Sequence, residues 1–130
     1  MISLFTMTDS TVLIADDDEV IREMYQVAFT AAGINVITAA NGNECVELAL
    51  KHHPNAILVD IMMPVLNGHE AVDKIRLNQW GKKAKIIYLT NMSDAENVVH
   101  AVENGTEKYI VKANASPKEV INQVRMAMHA

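Results

Sequence analysis

Short apolar runs alternate along this chain of 130 residues with segments in which apolar side chains recur at helical spacing. Five runs have the length of strands: residues 11–15, 34–39, 56–60, 85–90 and 108–112. Runs that are apolar at nearly every position are typical of parallel strands buried on both faces of a sheet. The alternation therefore predicts an α/β fold, in which helices cover both faces of one parallel sheet.

Five helices are predicted between and after these strands. The first ends before Gly33 and carries four apolar residues at helical spacing: Val20, Met24, Val27 and Ala31. The second closes at Pro54, and the third covers residues 68–78. Capping boxes predict the starts of the last two helices: Ser93 with Glu96, and Ser116 with Glu119, the latter with Pro117 at the first helical position.

The order of these elements predicts a doubly wound sandwich of the flavodoxin-like kind, with five parallel strands in the order 2-1-3-4-5. Ligands bind such sheets outside the carboxyl ends of the strands, at the switch point between the first and third strands. Asp16 and Asp17 directly follow the first strand, and Asp60 ends the third. We therefore expect three carboxylates to meet at one edge, where a cation must offset their mutual repulsion.

Composition argues against several classes of protein. The net charge of −5 and the lack of a Lys/Arg stripe argue against direct nucleic-acid binding. No apolar run approaches the ~20 residues of a membrane span. The single cysteine, Cys45, excludes an internal disulfide and fits the reducing cytoplasm. We expect one domain over residues 11–130, preceded by a flexible lead-in, residues 1–10.

The strand ends also carry the groups of a phosphoryl-transfer site. Clustered carboxylates select a hard cation, and Mg²⁺ leaves coordination positions for a phosphate oxygen. Thr90 ends the fourth strand and Lys112 the fifth, so both side chains are expected at the same mouth. Metal and lysine would neutralise a phosphoryl group that a carboxylate accepts as an aspartyl phosphate. The five histidines show no spacing that predicts a metal site: His52, His53, His69, His100 and His129.

The chain resembles the receiver domain of two-component response regulators from about Thr11 to its end. Four stretches carry the resemblance jointly: ADDDEVIREM, ILVDIMMPVLNG, IIYLTN and GTEKYIVKA. The resemblance implies that Asp60 is the phosphoacceptor. It also implies that Asp16, Asp17 and the backbone carbonyl of Met62 bind Mg²⁺ together with Asp60.

The same resemblance assigns roles to residues of the last two strands. It implies that Lys112 pairs with the acyl phosphate, that Thr90 moves to hydrogen-bond it, and that the rotamer of Tyr109 follows. Two positions depart from the family pattern. Asn91 replaces a usually small residue after the threonine, and Ala113 replaces the proline that usually follows the lysine in a cis bond. A cis bond before alanine costs ~3–4 kcal/mol, so a trans bond or local strain is expected.

A domain of this kind is implied to be a signalling switch and not a classical enzyme. A sensor histidine kinase or a histidine phosphotransfer protein would donate the phosphoryl group. The face formed by the fourth and fifth helices and the fifth strand would then control binding of a downstream protein, in a monomer or weak dimer. We expect either a single-domain regulator or a receiver excised from a longer protein.

Two other protein classes share parts of this pattern. A phosphatase of the haloacid-dehalogenase type also forms an aspartyl phosphate, but Ile61 and Met62 follow Asp60, so the second acid that serves as general base is missing. A flavodoxin-like FMN-binding protein needs a Ser/Thr/Gly-rich phosphate loop after the first strand, where this chain has acids. Phosphatase turnover of a generic ester, or a yellow colour on purification, would favour these alternatives.

Overall fold

The computed structural model describes residues 10–92 and 94–129. The predicted lead-in lies outside the described residues except for Ser10, and so does Ser93 of the first capping box. The strands are β1 (Thr11–Ala15), β2 (Asn35–Ala39), β3 (Ala56–Val59), β4 (Ile86–Thr90) and β5 (Lys108–Val111). The helices are α1 (Glu19–Ala31), α2 (Gly42–His52), α3 (Gly68–Leu77), α4 (Ala95–Glu103) and α5 (Pro117–Met128).

The five strands form one parallel sheet in the order β2-β1-β3-β4-β5. This order confirms the predicted doubly wound fold, with its switch point between β1 and β3. Leu13 of β1 lies opposite Ile57 of β3, and Ala15 lies opposite Val59. The register therefore brings the carboxyl ends of the two strands to the same level, which places Asp16 beside Asp60.

Each buried strand contributes alternate side chains to two cores, one on each face of the sheet. One core contains Leu13, Ile57 and Tyr88, and residues of α2, α3 and α4 pack on it. The other contains Ile14 and Leu58, together with residues of α1 and α5. Burial on both faces explains why these strands are apolar at almost every position.

Helix α1 confirms the predicted secondary structure but not the buried face that its apolar spacing indicates. Val20 is 76% exposed, Val27 is 69% exposed, and Met24 is also exposed. The helix is anchored instead by Tyr25 and Phe29, both buried in the α1–α5 core. The aromatic pair buries more apolar area than the aliphatic residues would, so it determines which face packs on the sheet. The aliphatic residues are left as an exposed apolar stripe.

The helix ends follow the predicted chemistry in most cases. Asp18 caps α1 by accepting hydrogen bonds from the amides of Val20 and Ile21. The capping box of Ser116 and Glu119 at the start of α5 is confirmed, with Pro117 in its first turn. Asp94, and not a serine, is the N-cap of α4. Among the described helices, none combines the length and the apolar character that crossing a membrane requires.

Candidate phosphoryl-transfer site

Three carboxylates meet at the carboxyl ends of β1 and β3. Oxygen atoms of Asp16, Asp17 and Asp60 lie within 4.8 Å of one another. Asp16 is 4% exposed and Asp60 is 6% exposed, whereas Asp17 faces solvent. The convergence expected at the switch point is thus present, with two acids inside the protein and one at the rim.

Backbone hydrogen bonds fix these acids by extending the sheet beyond the last strand residues. The amide of Asp16 donates to the carbonyl of Ala39, and the amide of Asp60 donates to the carbonyl of Ala15. The carboxylate of Asp16 also accepts a hydrogen bond of 2.9 Å from the amide of Asp18. Asp18 therefore supports the site through its backbone while its side chain caps α1.

Lys112 bridges the two buried acids. Its Nζ atom lies 2.7 Å from Oδ2 of Asp16 and 2.7 Å from Oδ2 of Asp60. Burial acts to lower the pKa of Lys112, but the hydrogen bonds that its ammonium donates to the two carboxylates outweigh burial and raise that pKa above its usual value. Burial raises the pKa of Asp16, an effect only partly offset by the bonds from Lys112 and the Asp18 amide. The lysine is therefore held as a cation.

The sequence predicts that Lys112 ends β5. In the structure, Lys112 instead begins a short 3₁₀ turn, Lys112–Asn114. The turn follows directly on the strand, so the side chain still reaches the carboxyl edge of the sheet. In residues 10–92 and 94–129 no peptide bond is cis, so the bond between Lys112 and Ala113 is trans. The loop that usually contains a cis proline in this family pattern is thus built here without one.

The loop after Asp60 packs closely on the acid's own backbone. A Cβ atom at Gly68 would lie 2.2 Å from the carbonyl oxygen of Asp60, so glycine is required at this contact. Val65 has a φ of 69°, at the centre of a tight turn closed by a 2.7 Å hydrogen bond from Leu66 to Pro64. A β-branched residue is strained in this left-handed region. The side chain of Met62 is exposed, and its amide donates to Oδ1 of Asp60 at 3.3 Å.

Thr90 and Tyr109 lie on the other side of the site. Thr90 is fully buried, and its Oγ1 accepts a hydrogen bond of 3.3 Å from the amide of Met92. The hydroxyl of Tyr109 donates to the carbonyl of the same Met92. Both predicted switch residues therefore contact the segment that leads from β4 toward α4, and neither bonds directly to Asp60.

A second cluster of polar side chains lies between α3 and α4, and no feature of the sequence predicts it. His69 Nδ1 lies 2.9 Å from the hydroxyl of Tyr88, and Nε2 lies 2.7 Å from Oδ1 of Asn97. The rings of His69 and His100 are stacked obliquely with their centroids 4.1 Å apart. These residues are far apart in the chain, so only the tertiary structure reveals that two of the five histidines are neighbours.

The donor atoms present fit a magnesium ion. Three carboxylates within reach of one centre provide the hard oxygen ligands that Mg²⁺ prefers. The ammonium group of Lys112 lies between two of these carboxylates, those of Asp16 and Asp60. The third carboxylate, that of Asp17, faces solvent. An acid held beside a cation at an open edge of the sheet is suited to accept a phosphoryl group.

Comparison with known proteins gives consistent results. The model of the family described as the response regulator receiver domain matches residues 12–125. The chain is 34% identical over 114 residues to the transcriptional regulatory protein SrrA of Staphylococcus aureus, covering 88% of this chain and 46% of that protein. It is 33% identical over 122 residues to the "Probable transcriptional regulator ycf27" of Porphyridium aerugineum, covering 94% of this chain and 49% of that protein.

The chain thus spans about half the length of the curated relatives that it matches. Among solved structures, the chemotaxis protein CheY4 of Vibrio cholerae is similar to it with a TM-score of 0.84 and 30% identity. That match covers 91% of this chain and 98% of the other. The similarity therefore extends over most of the chain, and not only over the acidic site.

Proposed function

The chain belongs to the response regulator receiver domain family, and on this premise we propose that Asp60 is its phosphoacceptor. The donor is a phosphohistidine of a sensor histidine kinase or of a histidine phosphotransfer protein. One observation carries the proposal: Asp60 is buried at the switch point, 2.7 Å from the Lys112 ammonium and beside Asp16 and Asp17. A buried carboxylate with a cation beside it is positioned as a nucleophile for phosphorus.

The transfer is a single displacement at phosphorus. A lone pair on one carboxylate oxygen of Asp60 forms the new P–O bond while the P–N bond to the donor imidazole breaks, and the electron pair of that bond stays on the nitrogen. The three carboxylates and the backbone carbonyl of Met62 would hold a Mg²⁺ ion, which would supply positive charge to the phosphoryl oxygens. Lys112, already 2.7 Å from Asp60, pairs with the new acyl phosphate.

The response travels through residues that follow β4. The Thr90 hydroxyl turns to hydrogen-bond the phosphoryl group and gives up its bond to the Met92 amide. Because the Tyr109 hydroxyl is bonded to the carbonyl of Met92, this movement reaches Tyr109 and the face of α4, β5 and α5. That face, which includes the exposed Val99 and Val102, binds the downstream protein.

The exposed apolar stripe of α1 supports docking of the donor. Helix α1 begins two residues after Asp17, so a protein whose histidine reaches Asp60 must lie over its first turns. Val20, Met24 and Val27 offer that protein an apolar surface at helical spacing. The free thiol of Cys45, on the buried face of α2, fits the reducing cytoplasm in which such a kinase acts.

The test is labelling of the purified protein by a small acyl phosphate in the presence of Mg²⁺. Intact-mass spectrometry should show one added phosphoryl group in the wild type and in Asp18→Asn, and none in Asp60→Asn. Asp18 is the matched control because it is a neighbouring carboxylate that caps α1 and lies outside the cluster. Label that persists in Asp60→Asn would show that another residue is the nucleophile.

A second arm of the experiment tests the docking surface with a phosphorylated histidine phosphotransfer protein. Val27→Glu should slow transfer from this donor by at least about tenfold, because it places a charge in an apolar contact. Labelling by the small acyl phosphate should be unchanged. Leu77→Glu is the control, since Leu77 is also an exposed apolar residue but lies at the end of α3, on the other face of the sheet. Equal transfer to both variants would remove α1 from the docking surface.

A further inference from the structure

His69 connects helix α3 to β4 and α4 through both of its ring nitrogens. Nδ1 lies 2.9 Å from the Tyr88 hydroxyl, and Nε2 lies 2.7 Å from Oδ1 of Asn97. The ring also meets that of Tyr88 edge-on, with centroids 5.1 Å apart. An imidazole that is hydrogen-bonded at both nitrogens is fixed in position and in tautomer.

The hydrogen bonds of Asn97 determine which nitrogen of His69 carries the proton. Nδ2 of Asn97 lies 2.7 Å from Oδ1 of Asp94 and 3.9 Å from Sδ of Met92, so this nitrogen is the donor. Oδ1 of Asn97 therefore accepts, and Nε2–H of His69 donates to it. In the neutral ring Nδ1 is then an acceptor, and the Tyr88 hydroxyl donates to it. A proton on Nδ1 would force the Tyr88 hydroxyl to turn and accept, and this fully buried hydroxyl would then lose the acceptor that it has at Nδ1.

The surroundings of His69 respond to its charge. From α4 it faces His100 at 4.1 Å between ring centroids, and Nε2 of His100 lies 3.6 Å from Oδ1 of Asp73 on α3. The other titratable groups around it are Asp73, Asp94 and the phenol of Tyr88. A proton on Nδ1 would thus exchange the donor and acceptor roles at Tyr88, and the charged ring would face a second imidazole at 4.1 Å.

The two helices that His69 joins lead to opposite sides of the phosphoacceptor. On α3, His69 directly follows Gly68, which packs against the backbone of Asp60. On α4, Asn97 contacts Met92, whose amide donates to Oγ1 of Thr90. His69 is therefore the hydrogen-bonded connection between the phosphoacceptor loop and the residues that carry the switch threonine.

We propose that His69 is a positioning residue for the phosphorylated state: in its neutral form it holds α4 and the segment of Thr90 and Met92 against the site, and protonation releases them. The proposal rests on the proposed function of Asp60. Release uncovers the acyl phosphate to water and shortens its lifetime. A fall in pH thus acts as an input that ends the signal.

The direction of this effect follows from the environment of the ring. Burial lowers the pKa of His69 below its usual value of 6.5, and His100 acts in the same direction, while the bond to Asn97 and the two carboxylates oppose them only partly. The folded arrangement therefore favours the neutral ring. Its contribution is complete above pH 6.5, and it weakens as the pH falls below that value toward the lowered pKa.

The test is the decay of the Asp60 phosphate, followed by intact mass after removal of an acyl phosphate donor. In the wild type, decay should be about fivefold faster at about pH 5.5 than at about pH 7.5, the ratio that loss of one neutral hydrogen bond gives. His69→Gln, which can still donate to Asn97 but does not titrate, should decay slowly at both pH values. His69→Phe should decay quickly at both. His52→Gln, an exposed histidine at the end of α2, should follow the wild type.

A second measurement separates this proposal from that of the phosphoacceptor. In the unphosphorylated protein, the amide resonances of Met92 and Asn97 should shift with the titration of the His69 ring, and the shift should vanish in His69→Gln. If Asp60 takes no label, the proposed function fails while this titration still tests the connection. Amide resonances that ignore the titration, or a pH dependence retained in His69→Gln, would overturn the role of His69.

Discussion

Asp60 lies between two groups of side chains that differ in kind. On one side, called the acidic side, Asp16, Asp17 and Lys112 carry formal charges and are joined by contacts as short as 2.7 Å. On the other, called the helix side, neutral hydrogen bonds join His69 of α3 to Tyr88 of β4 and Asn97 of α4, and Tyr109 of β5 bonds to the carbonyl of Met92.

This difference in bonding matches the two tasks of the proposed function, which are phosphoryl transfer and the conformational response to it. On the acidic side Lys112 is paired with two buried carboxylates, so removal of its charge leaves them uncompensated at a cost of several kcal/mol. Neutral hydrogen bonds contribute only ~0.5–1.5 kcal/mol each, so they can be exchanged at little cost when the site changes. A rigid charged side suits transfer of a phosphoryl group, and a rearrangeable side suits transmission of the signal.

Removal of the lysine charge should have the largest effect. Lys112→Met keeps the aliphatic stem but leaves the buried carboxylates of Asp16 and Asp60 without their cation. We expect the free energy of unfolding to fall by about 3 kcal/mol in chelator, measured by urea denaturation. Mg²⁺ should restore part of this loss, because another cation then compensates the acids.

Two variants make this result specific. Lys82→Met removes an exposed lysine of a 3₁₀ turn and should change stability by less than ~0.5 kcal/mol. Asp60→Asn added to Lys112→Met should recover part of the loss, since only one buried carboxylate remains. Equal stability of Lys112→Met and the wild type in chelator would mean that the acidic side is not held by its ion pairs.

The acidic side is the part that sequence reasoning predicts well. Asp16, Asp17 and Asp60 follow apolar runs, and the strand order alone brings the carboxyl ends of β1 and β3 together. Lys112 is predicted by the same argument, although it lies one residue beyond β5. Periodicity and topology suffice here because each acid is fixed by the backbone of a strand end, and not by another side chain.

The helix side and the orientation of α1 could not be predicted in this way. His69 and Asn97 meet because α3 and α4 lie side by side, and helical spacing does not specify which faces touch. In α1 the spacing of Val20 and Val27 is helical, but the larger area of Tyr25 and Phe29 determines which face is buried. Periodic spacing predicts that a helix exists, but packing against the sheet determines which face of the helix is buried.

The metal response should be the next largest effect and should belong to the acidic side alone. Mg²⁺ at ten times its dissociation constant stabilises the folded form by about 1.4 kcal/mol, which raises the melting temperature by several degrees. Asp17→Asn should abolish this rise, because it removes the exposed ligand of the cluster.

Asp18→Asn provides the matched control for the metal response. Asparagine caps a helix as well as aspartate does, so α1 should stay intact and the melting temperature should still rise with Mg²⁺. A rise that survives in Asp17→Asn, or that is lost in both variants, would contradict the assignment of the metal ligands. The same scan of His69→Gln should show an undiminished rise, because the helix side contributes no ligand.

The smallest effect on stability is expected from Tyr109, where loss of one hydrogen bond should affect the response more than the fold. Tyr109→Phe removes the hydrogen bond to the carbonyl of Met92, which water can partly replace because the side chain is only half-buried. The free energy of unfolding should therefore fall by less than ~1 kcal/mol, and labelling of Asp60 should be unchanged. The response of α4 amide resonances to beryllofluoride, which mimics the phosphoryl group, should nevertheless be reduced.

Tyr25→Phe makes the same chemical change on the α1 face of the sheet and should leave that response intact. If Tyr109→Phe responds like the wild type, then the bond to Met92 carries no signal, and the division between a charged side that reacts and a neutral side that transmits would not include Tyr109.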